Sequence, residues 1–260
     1  MKITVLTENC AGGGFLAEHG LSYLIEQDGI HLLFDTGSTD VFLRNARLLE
    51  IDLQNYVDTI VLSHGHWDHG DGLSYIEGKT LITHPGVFIK RYHKGDSENL
   101  GISMSKKEVS QKFNLVLSDK PYHIKEEIIY LGEIPRINSF ESQKTPFADE
   151  NGKDDFVPDD SALAIIQNNE LNIITGCSHS GICNICEHAV KVTGIKKINS
   201  VTGGFHLKND DEQTKQTIQY FKNKDIRYIF PSHCTALAAL SAFYNEFKVP
   251  QLLTGGIIII

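Results

Sequence analysis

Ten consecutive residues, Ser63-His64-Gly65-His66-Trp67-Asp68-His69-Gly70-Asp71-Gly72, place three imidazoles and two carboxylates directly after an apolar run. The spacing is not that of a helical HExxH site, whose ligands sit four apart on one face. On an extended loop His64 and His66 project to the same side, because side chains alternate with period two. Both can then bind one ion. Asp68 and His69 follow where the chain turns toward a helix, placed to hold a second ion beside the first. Gly65, Gly70 and Gly72 let the backbone approach closely without a Cβ clash. The competing reading is a solvated polar loop that happens to hold histidine. Donors clustered this densely point instead to a transition metal, and this mixed nitrogen and oxygen set suits zinc, manganese and iron alike.

The composition bounds what such a site could serve. With 260 residues, 41% hydrophobic and 22% charged, the chain can bury a real core and is not disordered. A formal net charge of -9 argues against partnership with nucleic acid, which is bound through counterion release at basic surfaces. Five cysteines show no secreted-type framework, so a reducing cytoplasm is expected. The chain starts without a signal-like run, and no stretch approaches the ~20 apolar residues of a membrane span. Cys183-x-x-Cys186 has redox spacing but lies in a helical pattern without a second CxxC, so it reads as packing.

The elements that must carry the histidine loop are legible from periodicity. Runs 3–6, 22–26, 30–34, 59–62 and 80–83 are β-branched, apolar and bounded by Gly, Asp or Pro, which predicts strands. Gln27-Asp28-Gly29 predicts a hairpin turn. Val41, Phe42, Ala46 and Leu49 fall at helical spacing. Strand patterns return at 163–166, 171–174, 198–202 and 227–230, with helices over 182–192, 211–222 and 236–247. The stretch of about 86–152 is polar and interrupted by Gly and Pro. It predicts an inserted lid or cap on a single domain spanning 1–260. The basic residues Lys90-Arg91, His93-Lys94 and Lys106-Lys107 are expected on a solvated face or at the mouth of a cleft. Two halves, each of hairpin strands followed by helix and strand, predict an α+β architecture of two mixed sheets packed face to face with helices outside.

The segment His64-x-His66-x-Asp68-His69 resembles the signature of the metallo-β-lactamase fold superfamily. Phe34-Asp35-Thr36-Gly37, Thr175-Gly176-Cys177 and Pro231-Ser232-His233-Cys234 extend the likeness over essentially the whole chain. Glu18-His19-Gly20, Gly132-Glu133-Ile134-Pro135-Arg136, Asp159-Asp160-Ser161-Ala162-Leu163, Gly176-Cys177-Ser178-His179-Ser180-Gly181 and Gly203-Gly204-Phe205-His206-Leu207 sharpen it. They resemble the group named for an archaeal dihydropterin-ribofuranosylaminobenzene phosphate synthase. The resemblance implies a four-layer αββα sandwich and two divalent ions, zinc first, with manganese or iron as alternatives.

Carried over, His64, His66 and His179 would hold one ion and Asp68, His69 and His233 the other. The chain departs from the superfamily pattern near Asp160 and Cys177, where a histidine and a bridging aspartate are usual. Either His179 reaches the first ion with Asp160 assisting, or Cys177 contributes a thiolate. The first is preferred, because a cysteine after an apolar strand is expected to be buried and inert. Zinc lowers the pKa of a bound water to ~7, and a second ion clamps the attacking and leaving oxygens. Asp68 takes part in this chemistry, and Asp35 would accept a hydrogen bond that fixes the tautomer of a ligand histidine. Its competing role is that of a turn residue.

His206, at a strand end, could protonate a leaving group. Ser178 and Ser180 lead into a helix whose N–H groups could hold an anion, unless Ser180 simply caps it. Glu18, His19 and Arg136 are candidate contacts to an anionic substrate, Arg136 through its bidentate fork. The expected activity is a hydrolase acting on a small anionic, phosphorylated or pterin-like compound. The alternatives are a dihydropterin transferase releasing pyrophosphate, and a non-catalytic metal or pterin-binding protein.

Overall fold

The structure is a computed structural model describing residues 1–141 and 143–260. In chain order its strands are β1 (Lys2–Thr7), β2 (Ser22–Gln27), β3 (Ile30–Phe34), β4 (Thr59–Val61), β5 (Thr80–Thr83), β6 (Arg91–His93), β7 (Asn114–Leu117), β8 (Tyr122–Lys125), β9 (Ile128–Tyr130), β10 (Phe147–Asp149), β11 (Ala162–Gln167), β12 (Glu170–Thr175), β13 (Ile198–Gly204), β14 (Tyr228–Ser232) and β15 (Ile257–Ile259). The α-helices are α1 (Val41–Leu48), α2 (Leu53–Tyr56), α3 (Trp67–Gly70), α4 (Lys106–Lys112), α5 (Ile182–Thr193), α6 (Glu212–Asn223) and α7 (Leu237–Phe247).

The chain divides into two compact units, one of 1–118, 146–155 and 252–260, the other of 119–145 and 156–251. The first holds a seven-stranded sheet in the order β15-β1-β2-β3-β4-β5-β7 and a small ribbon of β6 and β10. The β2–β3 hairpin turns at Asp28 and Gly29, both at positive φ, which a two-residue turn matched to strand twist requires. From β3 onward the sheet is parallel. Its core packs Phe42, Leu33, Ile60, Leu62 and Leu81, all fully buried. The second unit carries a six-stranded sheet, β14-β13-β12-β11-β9-β8, whose β12, β13 and β14 run parallel. Phe205, Phe221 and Phe243 form an edge-to-face cluster between this sheet and its helices, a geometry that aromatic rings prefer.

The stretch 86–152 contributes more than a cover. Strand β7 closes one edge of the first sheet, and β8 with β9 closes one edge of the second. Of the basic residues, Lys90, His93, Lys94, Lys106 and Lys107 are exposed as a solvated face requires, and Arg91 alone is a correction: it is fully buried on the β6–β10 ribbon, its Nε 3.1 Å from Asp155 Oδ2. No helix among the described residues is long and apolar enough to cross a membrane.

Candidate metal centre

In the first unit the loop after β4 is threaded between fixed backbone. His66 bridges Gly101, Trp67 N donates to Leu100 O and Ile102 N to Gly65 O. Gly65 is obligatory here, since a Cβ would lie 2.1 Å from the Val87 carbonyl oxygen. His64 and His69 are fully buried, and His66 and Asp68 nearly so.

A single carboxylate organises these imidazoles. Asp35 Oδ1 accepts from Ser63 N at 2.7 Å, while Oδ2 accepts from Ser63 Oγ at 2.7 Å and from His69 Nδ1 at 2.7 Å. Ser63 has spent its one proton on Asp35, so its oxygen must accept from His64 Nδ1, 2.9 Å away. Both histidines therefore carry their proton on Nδ1 and leave Nε2 with a lone pair. His64 Nε2 points at His66 Nδ1, 3.0 Å away, and His69 Nε2 lies 3.8 Å from Asp68 Oδ2. Imidazole lone pairs prepared in this way, with a carboxylate beside them, fit a divalent d-block ion.

Burial raises the Asp35 carboxyl above its usual range, opposed by the His69 ring and the Ser63 donors. Its backbone is left-handed, φ 56°, uncommon for a residue with a side chain. Asp35→Asn would present an N–H where His69 now donates and reverse the tautomer. Metal affinity, measured by chelator competition, should fall about 10- to 100-fold.

Glu18 and His19 belong to the same unit. Glu18 is not turned outward to a substrate: its carboxylate accepts from Ser38 N, Thr39 N and Thr39 Oγ1 and so ties down the loop after Asp35. His19 is more than half exposed, with Nε2 3.2 Å from Asp68 Oδ2.

The second unit gathers the remaining candidates at the ends of β12, β13 and β14. His179 and His206 lie with ring centroids 4.4 Å apart. Asp160 is fully buried and accepts from Ser180 N at 2.8 Å and from the His179 backbone. Burial pushes it up to about 6. Among the described residues Asp160 belongs to no ligand cluster; its carboxylate is turned to the peptide of His179. Arg136 donates to the His179 carbonyl at 3.3 Å and to the Phe156 carbonyl, and sits over the Phe156 ring. Its fork thus meets backbone oxygens where an anion was expected. Ser178 Oγ donates to Gly204 O at 2.6 Å, a bond internal to the fold. Ser178, His206 and His233 share the left-handed backbone of Asp35.

The helix end is likewise spoken for. Ser180 makes no cap on α5; the caps come from Glu141, whose two oxygens accept from Cys183 N and Asn184 N at 2.9 Å each. The chain supplies its own anion to that positive end. Sequence reading missed Glu141, since nothing local pairs it with residues about forty positions away.

Burial holds the Glu141 carboxyl above its ordinary 4.5. The folded chain then binds more protons than the unfolded one above pH 4.5, and this contribution to stability declines as pH rises through the window. In denaturant titrations, the stability of wild type relative to Glu141→Gln should therefore shrink from pH 4.5 upward.

Comparison with known proteins supplies the family. The model of the metallo-beta-lactamase superfamily matches residues 17–188. "Uncharacterized protein MJ0448" of Methanocaldococcus jannaschii is 38% identical, aligned over 92% of this chain and 92% of its own length. The 7,8-dihydropterin-6-methyl-4-(beta-D-ribofuranosyl)-aminobenzene-5'-phosphate synthase of the same organism is 35% identical, over 95% of this chain and 92% of its own. The crystal structure of Tm1679, described as a metal-dependent hydrolase of the beta-lactamase superfamily, matches with a TM-score of 0.88 at 31% identity, covering 100% of this chain and 99% of that one. The α+β sandwich class expected from the sequence is thereby shown. With a family model over most of its length and relatives above 30% identity along nearly all of it, the chain belongs to the metallo-β-lactamase superfamily.

Proposed function

We propose that this protein is a dinuclear-metal-dependent hydrolase of small anionic compounds, phosphorylated or pterin-like. His64, His66 and His179 hold one ion and Asp68, His69 and His233 the other, zinc before manganese or iron. The observation that carries this reading is the proton accounting around Asp35, which leaves Nε2 of His64 and of His69 ready to ligate. When bound, the cations supply Lewis acidity and a nucleophile at neutral pH.

The chain's own residues do the rest. Asp35 and Ser63 keep two imidazoles in the ligating tautomer. Asp160 and Arg136 grip the His179 peptide from its N–H and its carbonyl sides. His206, partly exposed and beside His179, delivers a proton to the leaving oxygen. The β6–β10 ribbon and its loops are the part of 86–152 free to act as a cover. Net charge disfavours nucleic acid as substrate, and five free thiols suit the cytoplasm.

A transferase reading is favoured by one finding, the 35% identity to the archaeal synthase over nearly the whole chain. Purified protein should carry metal and turn over some member of a panel of phosphodiester, phosphomonoester, lactone, β-lactam and dihydropterin diphosphate. Hydrolysis of a simple ester without pterin turnover supports the hydrolase. Pterin transfer alone selects the synthase-like activity, and metal at trace level sinks both.

A further inference from the structure

Three parallel strands end side by side in the second unit, with β13 between β12 and β14. Cys177 lies two residues beyond β12 and Cys234 two beyond β14. Neighbouring strands stand about 4.8 Å apart, so side chains on either side of a middle strand are ordinarily kept apart by what that strand carries. Here it carries Gly204. A Cβ at that position would lie 2.6 Å from Cys234 Sγ and 3.4 Å from Cys177 Cα. The space it leaves is filled by the Cys234 thiol, which donates to the Cys177 carbonyl at 3.4 Å.

His233 completes the group. Successive side chains on an extended strand point to opposite faces, which would separate residues 233 and 234. The left-handed backbone of His233, φ 51°, breaks that alternation and brings both side chains to one place. Donor atoms of Cys177, His233 and Cys234 all lie within 4.8 Å of one another. Tetrahedral zinc with Zn–S ≈ 2.3 Å and Zn–N ≈ 2.0–2.1 Å needs donor separations of about 3.5–3.8 Å, a small contraction from that spread. Cys183 and Cys186 differ in kind: burial raises both thiols well above their ordinary value, and they pack inside the core around α5.

We propose that Cys177, His233 and Cys234 form a sulfur-bearing metal position, in which two thiolates join the imidazole assigned above to the second ion. This rests on the metal-enzyme reading and deepens it. Sulfur ligands select zinc or ferrous iron over manganese and magnesium, which prefer oxygen. Each thiol releases its proton to solvent as the metal–sulfur bond forms. Cys234, which closes the Pro231-Ser232-His233-Cys234 motif but was given no ligand role in the sequence reading, is the residue that distinguishes this position from one built on histidine and carboxylate.

The test is cobalt(II) substitution of the full-length protein, read by absorption spectroscopy with the bound cobalt counted by elemental analysis. The expected result is a near-ultraviolet sulfur-to-cobalt charge-transfer band. It should weaken to about half in Cys177→Ser and in Cys234→Ser, vanish in the double variant, and persist unchanged in Cys183→Ser. Cobalt bound without that band overturns the sulfur position and leaves the metal enzyme standing. A band at full strength in Cys234→Ser removes the paired-thiolate assignment. No bound cobalt overturns both readings. Circular dichroism of each variant confirms that the fold is retained.

Discussion

Replacing His64 and His66 together with alanine should leave the protein folded, with less bound metal and turnover reduced by about 10³-fold or more. Loss of an ion that contributes several kcal/mol of transition-state stabilisation produces an effect of that size. Both residues sit on a loop whose backbone is held by Gly101, Leu100 and Ile102 rather than by the imidazoles. Asp35 keeps its bonds to Ser63 and His69 in the variant, so the buried carboxylate is not orphaned. Elemental analysis after gel filtration, with circular dichroism as the folding control, measures the outcome. Metal retained in full would place the ions elsewhere.

Arg91→Ala is expected to be the most damaging substitution for stability, at about 3–5 kcal/mol, because it strands the Asp155 carboxylate in the interior. Side-chain exposure is 0% for Arg91 and 3% for Asp155. A chain of this size should lose about 10 °C in Tm by calorimetry. The effect should reach the metal loop, since Leu100 N donates to Arg91 O while Leu100 O accepts from Trp67 N. Chelator competition should therefore show weaker metal binding in the same variant. Arg91→Met/Asp155→Leu should recover most of the lost stability, because an apolar pair of similar volume avoids the cost of dehydrating two charges. A double variant no better than the single one would show that the ribbon depends on charge and not on fill.

What could be read from the sequence was what is local in it. The cluster 64–69 declares itself because its donors are neighbours in the chain. The hairpin at Asp28-Gly29 declares itself because turn chemistry lies in two residues. Helices α1, α5, α6 and α7 begin and end within about two residues of their periodicity. The stretch 86–152 hid its elements for two reasons. Strand β7 is a half-buried edge strand and lacks clean alternation, while α4 is short. One signal was present and missed: Ser105 and Glu108 form a capping box that announces α4.

The internal duties of Glu18, Arg136, Ser178 and Glu141 could not be read, because each is fixed by a partner 20 to 43 positions away. The same holds for Arg91 with Asp155 and for the meeting of Cys177 with Cys234. The register of three strands decides that meeting, and register is a property of the folded sheet.

The Glu141 cap on α5 has a bearing on the order of events in catalysis. A helix start and an arginine are two ordinary ways for a protein to attract phosphate, and in the second unit the start of α5 and Arg136 are both committed to the chain's own groups. With a net charge of -9, the bare polypeptide has little to offer an anion. On the function proposed above, affinity for an anionic substrate would come with the cations, and assembly would be ordered: metal first, anion second. Calorimetric titration of phosphate should give heat with the loaded protein and none with the stripped one.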